Sequence, residues 1–356
     1  MPRSTPVQSY VGLDVYVGID VHQRTYTVWV QVEQEKAKKW TMTASPLQLG
    51  EQLRKYFSGG RIHTVYEAGF SGYGLHRELK RQGIDSIVVH PASVEVAAHN
   101  RVKTDKRDAQ KLATQLEAGR LNGIRIPSPE QEHRRLLSRT RSQLVKNRAR
   151  IKTQIRMKAH QFGLIDPDER REMSLRWVDD LLAKEISLEF TLVIRALVAV
   201  WKSMNEQIRT LERQLHHQAN ADPTEATYRS APAVGPISAR VLANELGDMS
   251  QFKNERQLFS YTGLTPSEHS SGDTVRKGSI TKQGNAHLRG ILIEIAWRAR
   301  AKDPDLARHY DQLSTRMGGK RAIVAIARKL IGRIRAAFRK GELYQTNYQG
   351  DLATTS

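Results

Sequence analysis

The sequence predicts an α/β amino-terminal domain followed by two mainly helical regions. Three observations carry this. Strand-like runs give way to strand–helix alternation within residues 1–126, a heptad-spaced apolar seam runs from Phe190 to Leu215, and two amphipathic stretches lie near the carboxy terminus.

Val15-Tyr-Val-Gly-Ile-Asp20 reads as a buried strand. Thr25–Val32 alternates polar and apolar residues and reads as a second strand, and Lys39–Thr43 as a short third. A helix over Leu47–Tyr56, a strand His63–Glu67, a helix Tyr73–Gln82, a strand Ser86–His90 and a helix from Asp105 to Ala118 follow. Three strands in a row, then strand–helix alternation, is the order of a ribonuclease-H-like fold.

Residues 127–222 form a second region. Phe190, Ile194, Leu197, Trp201, Met204, Ile208, Leu211 and Leu215 follow a strict four-three spacing, which is an a/d seam. The spacing fits a helix packed on its own domain, an antiparallel helical arm and a dimer coiled coil alike. Asp222-Pro-Thr marks a boundary, and a third domain covers residues 223–346. It contains a glycine hairpin around Gly235 leading into a helix. Two amphipathic helices follow, marked by Leu288, Leu292 and Ile295 and by Ile323, Ala327, Ile331, Ile334 and Phe338. Residues 347–356 read as a frayed tail.

The 356 residues include 57 Lys plus Arg against 37 Asp plus Glu, a net charge of +20, which calls for a polyanionic partner. The surplus is not a tail, since basic and acidic residues number 18 and 12 in 1–126, 18 and 13 in 127–222, and 21 and 12 in 223–356. Between Glu132 and Asp166 no acid interrupts ten cations, among them Arg141, Arg148 and Lys152. Ten uncompensated cations on one helix point to nucleic-acid contact. The absence of cysteine excludes disulfides and Cys-ligated zinc. No apolar run reaches the ~18 residues of a membrane span, and Met1–Pro6 lacks a signal-peptide pattern, so a cytoplasmic protein is expected. The 12 histidines show no metal-ligand spacing, and His22, His90 and His287 read as surface or packing residues. Gly69–Gly74 is glycine-dense, yet its spacing is not that of a dinucleotide loop.

Four acids form the main chemical candidate. Asp20 and Glu67 end the first and fourth strands, while Asp105 and Asp108 sit three apart on one helix face. Gathered carboxylates repel, a cost tolerable when cations neutralise it. The expected cofactor is Mg²⁺, with two ions about 4 Å apart serving a phosphodiester displacement. Any one of these acids can equally be solvated or cap a helix, as Asp105 would if it opened its own. The conjunction carries the weight.

The second concentration lies in 263–289. This segment is rich in glycine and hydroxyl side chains, with Arg276, Lys277, Lys282 and Arg289 interleaved, and reads as a phosphate-contacting loop. A serine nucleophile is the sharper alternative, for which Ser260, Ser267, Ser270, Ser271 and Ser279 compete.

Gly18-Ile-Asp20-Val-His22, Tyr66-Glu67-Ala-Gly69, Lys103-Thr-Asp105-Lys-Arg-Asp108 and the Gly263…Ser271-Gly…Arg289 segment resemble, in order, the DEDD transposases of bacterial insertion sequences, the family numbered one hundred and ten. The resemblance spans nearly the whole chain. It implies a RuvC-like amino-terminal domain, a coiled-coil middle and a carboxy-terminal transposase domain. It also implies Ser271 as the nucleophile, with Ser270 beside it. The implied function is excision and integration of an insertion sequence, leaving a phosphoserine link and a free 3′ hydroxyl. The implied partners are donor and target double-stranded DNA, a bridge RNA, and further copies of the chain in a dimer or tetramer. The alternative is a hydrolytic RuvC-like resolvase using the four carboxylates alone.

Overall fold

The computed structural model describes residues 9–95, 104–166, 168–184, 186–268 and 277–346. They belong to two units, Met1–Pro127 and Ser128–Ser356.

The first unit is built on a five-stranded mixed sheet. β1 (Asp14–Val21), β2 (Thr25–Val32) and β3 (Glu35–Thr43) form an antiparallel meander. α1 (Pro46–Tyr56) leads to β4 (Arg61–Glu67), which pairs parallel with β1. α2 (Gly74–Arg81) leads to β5 (Asp85–Val89), parallel to β4, and the strand order is β3-β2-β1-β4-β5. The third strand starts at Glu35 rather than Lys39. Its lysine-rich beginning escapes an apolar pattern yet suits a sheet edge, where charge discourages further pairing.

Val15, Val17, Ile19, Val28 and Val30 are buried in one core cluster with Leu49, Leu53, Leu75 and Leu79 of the first two helices and with Phe57, which caps α1. A second cluster joins Val65 and Val89 to Leu112, which lies in α3 (Asp105–Glu117). Gly18 explains how closely α3 lies on β1. A Cβ there would sit 2.0 Å from the Ala109 carbonyl oxygen and 2.6 Å from the Ala113 nitrogen, both backbone atoms that cannot swing aside. Gly18→Ala is therefore expected to push α3 off the sheet at a cost of about 2 kcal/mol. A thermal melt checks the stability loss, and a wild-type-like melting temperature would mean α3 is held less tightly than this.

The second unit opens with α4 (Pro129–Gln161), α5 (Leu175–Leu182) and α6 (Leu188–Asn220). Arg141 bonds Glu212, Arg148 bonds Asn205, and Phe162 meets Phe190 edge to face. As one partner's number rises the other's falls, so α4 and α6 run antiparallel. The seam is thus used within the chain. Phe190, Ile194, Trp201, Ile208 and Leu215 are buried, and the first three pack with Ile155 and Ala159 of α4.

The contact also supplies counter-charges to some of the α4 cations that look uncompensated in the sequence. Arg139 donates to both oxygens of Glu245 at 2.6 and 2.8 Å, and Arg141 is paired with Glu212. The matching acids lie some 70 to 110 residues away in sequence, where a local charge count cannot see them.

The chain continues through α7 (Glu225–Ser230), α8 (Pro236–Leu246), α9 (Glu255–Thr262), a hairpin of β6 (Pro266–Glu268) and β7 (Lys277–Ile280), then α10 (Ala286–Ala299), α11 (Pro304–Met317) and α12 (Gly319–Lys340). One core cluster unites residues from Tyr228 to Tyr344. The two amphipathic stretches correspond to α10 and α12. The segment read as a frayed tail lies outside the described residues.

Candidate active site

Asp20 and Glu67 are brought side by side by strand register. Ile19 stands opposite Tyr66 in the parallel β1–β4 pair, so the next residue on each strand is an acid at a carboxyl end. Open α/β sheets bind ligands at those ends. α3 adds the other two. Thr104, not Asp105, caps that helix, its hydroxyl accepting from the Arg107 amide at 3.4 Å. Asp105 is therefore the first helical residue rather than the cap, and Asp105 and Asp108 share the first turn. All four carboxylates line one cleft of about 490 Å³, with Gly69, Phe70 and Ser71 on its rim.

Within the cleft the tightest group includes His22, which the sequence marks only as a surface or packing residue. His22 Nε2 lies 3.1 Å from Asp20 Oδ2 and 3.3 Å from Asp105 Oδ2. One potential ligand atom from each of the three falls within 4.8 Å of the others. His22 is half exposed, as a surface residue should be, yet its role is local to the site. The signal was available: residues two apart on a strand point to the same side, so Asp20-Val-His22 places both side chains together. Glu67 and Asp108 line the same cleft outside this tight group, Asp108 with Lys111 Nζ at 3.6 Å.

Burial raises the Asp20 carboxyl above its ordinary 3.8, and the Asp105 and Asp108 charges add to this while His22 opposes it. The opposite end of the sheet behaves differently. There Asp14 is satisfied by Arg61 and His63, and these hydrogen bonds lower its carboxyl to about 2. Asp20 therefore carries an electrostatic cost that Asp14 does not. A divalent cation among Asp20, Asp105 and their neighbours would relieve it, and the carboxylate donors match what magnesium prefers. The residues present fit such an ion.

In the second unit, Ser270, Ser271 and Arg276 lie outside the described residues. The strands on either side of 269–276 pair, with Pro266 opposite Ile280 and Glu268 opposite Lys277. After β7 the chain folds back onto the end of α9. Gly263 and Gly284 permit this with φ of +67° and +98°; a Cβ on Gly263 would lie 2.2 Å from the Gln283 carbonyl oxygen. Asn285 N then donates to Tyr261 O at 2.8 Å, and Arg289 Nη1 to Lys282 O at 3.2 Å. Arg289 thus braces the loop, while the Lys282 side chain is exposed. Ser267 donates to Ser279 O across the hairpin. Of the helical cations, Arg148 bonds Asn205 and Lys152 stacks over Trp201 at 4.8 Å, so both turn toward α6. His90 caps a short turn by accepting from Ala92 N, and His287 is partly buried, its imidazole lowered by that burial.

Residues 17–162 match the profile of the DEDD transposases of IS110 type, and residues 226–311 that of the transposase IS116/IS110/IS902 family. The chain is 32% identical over 245 residues to the putative transposase y4qE of Sinorhizobium fredii, covering 67% of this chain and 59% of that protein. It is 30% identical over 296 residues to the putative transposase y4rJ of the same organism, covering 75% and 74%. The chain belongs to the IS110 transposase family. Another relative is the transposase for insertion sequence element IS1111A of Coxiella burnetii, 28% identical over 292 residues and covering 79% of each chain. The first family match contains all four carboxylates, and the second contains Ser271. Among the described residues no helix is long and apolar enough to cross a membrane.

Proposed function

We propose that this IS110-family transposase excises and integrates an insertion sequence by phosphoryl transfer on DNA. The observation that carries the reading is the meeting of Asp20, Glu67, Asp105 and Asp108 in one cleft, in a chain of this family. Residues 1–126 act as a ribonuclease-H/RuvC-like catalytic domain, 127–222 as a helical arm and 223–346 as the transposase domain. The sheet order and the acids at its carboxyl ends support the first assignment.

Asp20, Glu67, Asp105 and Asp108 would hold Mg²⁺, as two ions, which when bound would supply charge neutralisation at the scissile phosphate and the leaving oxygen. Carboxylates repel a phosphodiester, so their part is to fix the cation that would face it, while basic side chains hold the phosphate. Ser271 Oγ forms a bond to phosphorus as the bond from phosphorus to a sugar oxygen breaks. The serine proton is lost, and the leaving sugar oxygen gains one. The phosphoserine conserves the energy of the broken bond, so rejoining needs no external source. Lys277, Lys282 and Arg276 hold phosphate, with Arg289 bracing their loop. Arg141, Arg148 and Lys152 contribute positive potential rather than open contacts, because each is engaged along α6. Donor and target DNA are the substrates, a bridge RNA guides their choice, and the chain works in the cytoplasm as a dimer or tetramer, since strand exchange must hold several ends.

Trapping on element-end DNA tests the chemistry. A covalent protein–DNA adduct is expected with the native chain and none with Ser271→Ala. An adduct that persists in Ser271→Ala and disappears in Ser270→Ala moves the nucleophile by one residue. Cleavage without any adduct replaces the serine step with hydrolysis.

A further inference from the structure

We propose that His22 supplies a nitrogen ligand to the cation held by Asp20 and Asp105, and so shifts the site's preference from Mg²⁺ toward Mn²⁺. This rests on reading the carboxylates as a cation site. The turn between β1 and β2 fixes the histidine, its amide donating to Thr25 O at 2.9 Å. Its Nε2 then faces two carboxylate oxygens at once, at 3.1 and 3.3 Å. Nε2 carries at most one hydrogen, in either charge state of the ring, so it can donate well to only one of them. One N–H satisfies one of the two contacts as a hydrogen bond, and the second is then at most an ion pair with a protonated ring.

Shared coordination explains both. Neighbouring ligands of a six-coordinate ion, each at about 2.1 Å and at right angles, lie about 3.0 Å apart. The nitrogen-to-oxygen spacings here are close to that edge. Magnesium favours all-oxygen surroundings, whereas imidazole binds transition-metal ions readily. A site with one imidazole among carboxylates therefore gains more with Mn²⁺ than with Mg²⁺. Because Asp20 already bears the crowding of Asp105 and Asp108, a neutral ligand also adds a donor without another negative charge.

Electron spin-echo spectroscopy on the full chain titrated with Mn²⁺ reads the ligand directly, and calorimetric titration with Mn²⁺ and Mg²⁺ reads the preference. The bound Mn²⁺ signal should carry a nitrogen coupling that is lost in His22→Ala and His22→Gln. In both variants Mn²⁺ affinity should fall at least about tenfold, a loss that even outer-shell partners can cause, with a much smaller change for Mg²⁺. Asp20→Asn should remove the same Mn²⁺ signal, which assigns it to this cleft. Bound Mn²⁺ that Asp20→Asn removes but that shows no nitrogen coupling overturns the role of His22 and leaves the carboxylate site standing. Tighter Mn²⁺ binding in His22→Ala also overturns it, since the imidazole would then be competing with the metal. Failure of the native chain to bind either ion in the cleft overturns both this inference and the metal reading beneath it. His22 lies at a half-exposed turn, so melting curves of both variants should overlay the native one.

Discussion

Asp20→Asn should lower DNA strand cleavage by about a thousandfold while leaving the fold intact. The rate effect follows from charge. Metal-assisted stabilisation of a transferring phosphoryl group is worth several kcal/mol, and losing about 4 kcal/mol of it corresponds to about three powers of ten. Asp20 is the member of the cleft with both His22 and Asp105 in immediate reach, so its loss removes the centre of the ligand group. The stability effect should have the opposite sign. Burial, with Asp105 and Asp108 nearby, raises the folded-state pKa of Asp20. A carboxyl with a raised pKa contributes its full stability below its unfolded value near 3.8 and loses it as pH rises through the folded one. At neutral pH in chelator the ionised acid therefore works against folding. Asp20→Asn should melt at a higher temperature than the native chain there, and the gap should close in acid. A variant that melts lower at neutral pH, or that cleaves at near-native rate, would place Asp20 among structural acids.

Much of the candidate site in the first unit is legible in the sequence because its residues obey local periods. A strand ends on Asp20, another on Glu67, and a three-residue spacing puts Asp105 and Asp108 on one helical face. Register and Gly18 then bring these pieces together. His22 is not marked by spacing to another histidine, because its partner is an aspartate two positions earlier on the same strand side. The basic helix misled for another reason. Its cations look uncompensated in sequence, but Glu212 and Glu245 reach them only after the chain has reversed through α5 and α6. The apolar seam of α6 was plain, yet its spacing is the same for a partner inside the chain and for one outside. Only the antiparallel pairing with α4 decides what covers it here. α9 and α11 went unread because they are short or largely exposed; α11 buries Leu306 alone.

Glu245→Ala should strongly destabilise the second unit. Glu245 is completely buried, and the carboxylate binds three groups from distant parts of the chain. Arg139 of α4 forks onto it at 2.6 and 2.8 Å, Arg135 approaches at 3.6 Å, and Asn285 Nδ2 donates at 2.8 Å. Asn285 in turn caps α10 by accepting from His287 N and Leu288 N. The acid thus ties the basic helix to the helix that follows the glycine- and hydroxyl-rich loop. Arg139 is half exposed, so water takes up part of its freed charge and the loss is about 2–3 kcal/mol, below that of a fully buried pair. In a unit of this size each kcal/mol lowers the melting temperature by roughly 2–4 °C, so a fall of about 7 °C is expected by calorimetry. Glu245→Gln separates charge from hydrogen bonding: it keeps an acceptor for Asn285 and should lose less than Glu245→Ala. Equal losses in the two variants would mean that charge, not the bond to Asn285, holds the junction. A fall of less than about 2 °C in Glu245→Ala would mean that water takes over the freed guanidinium groups and that α4 is not anchored here. Under the expected outcome, the position of α10 depends on a buried carboxylate of α8, and Glu245→Gln should lose activity at temperatures where the chain is still folded.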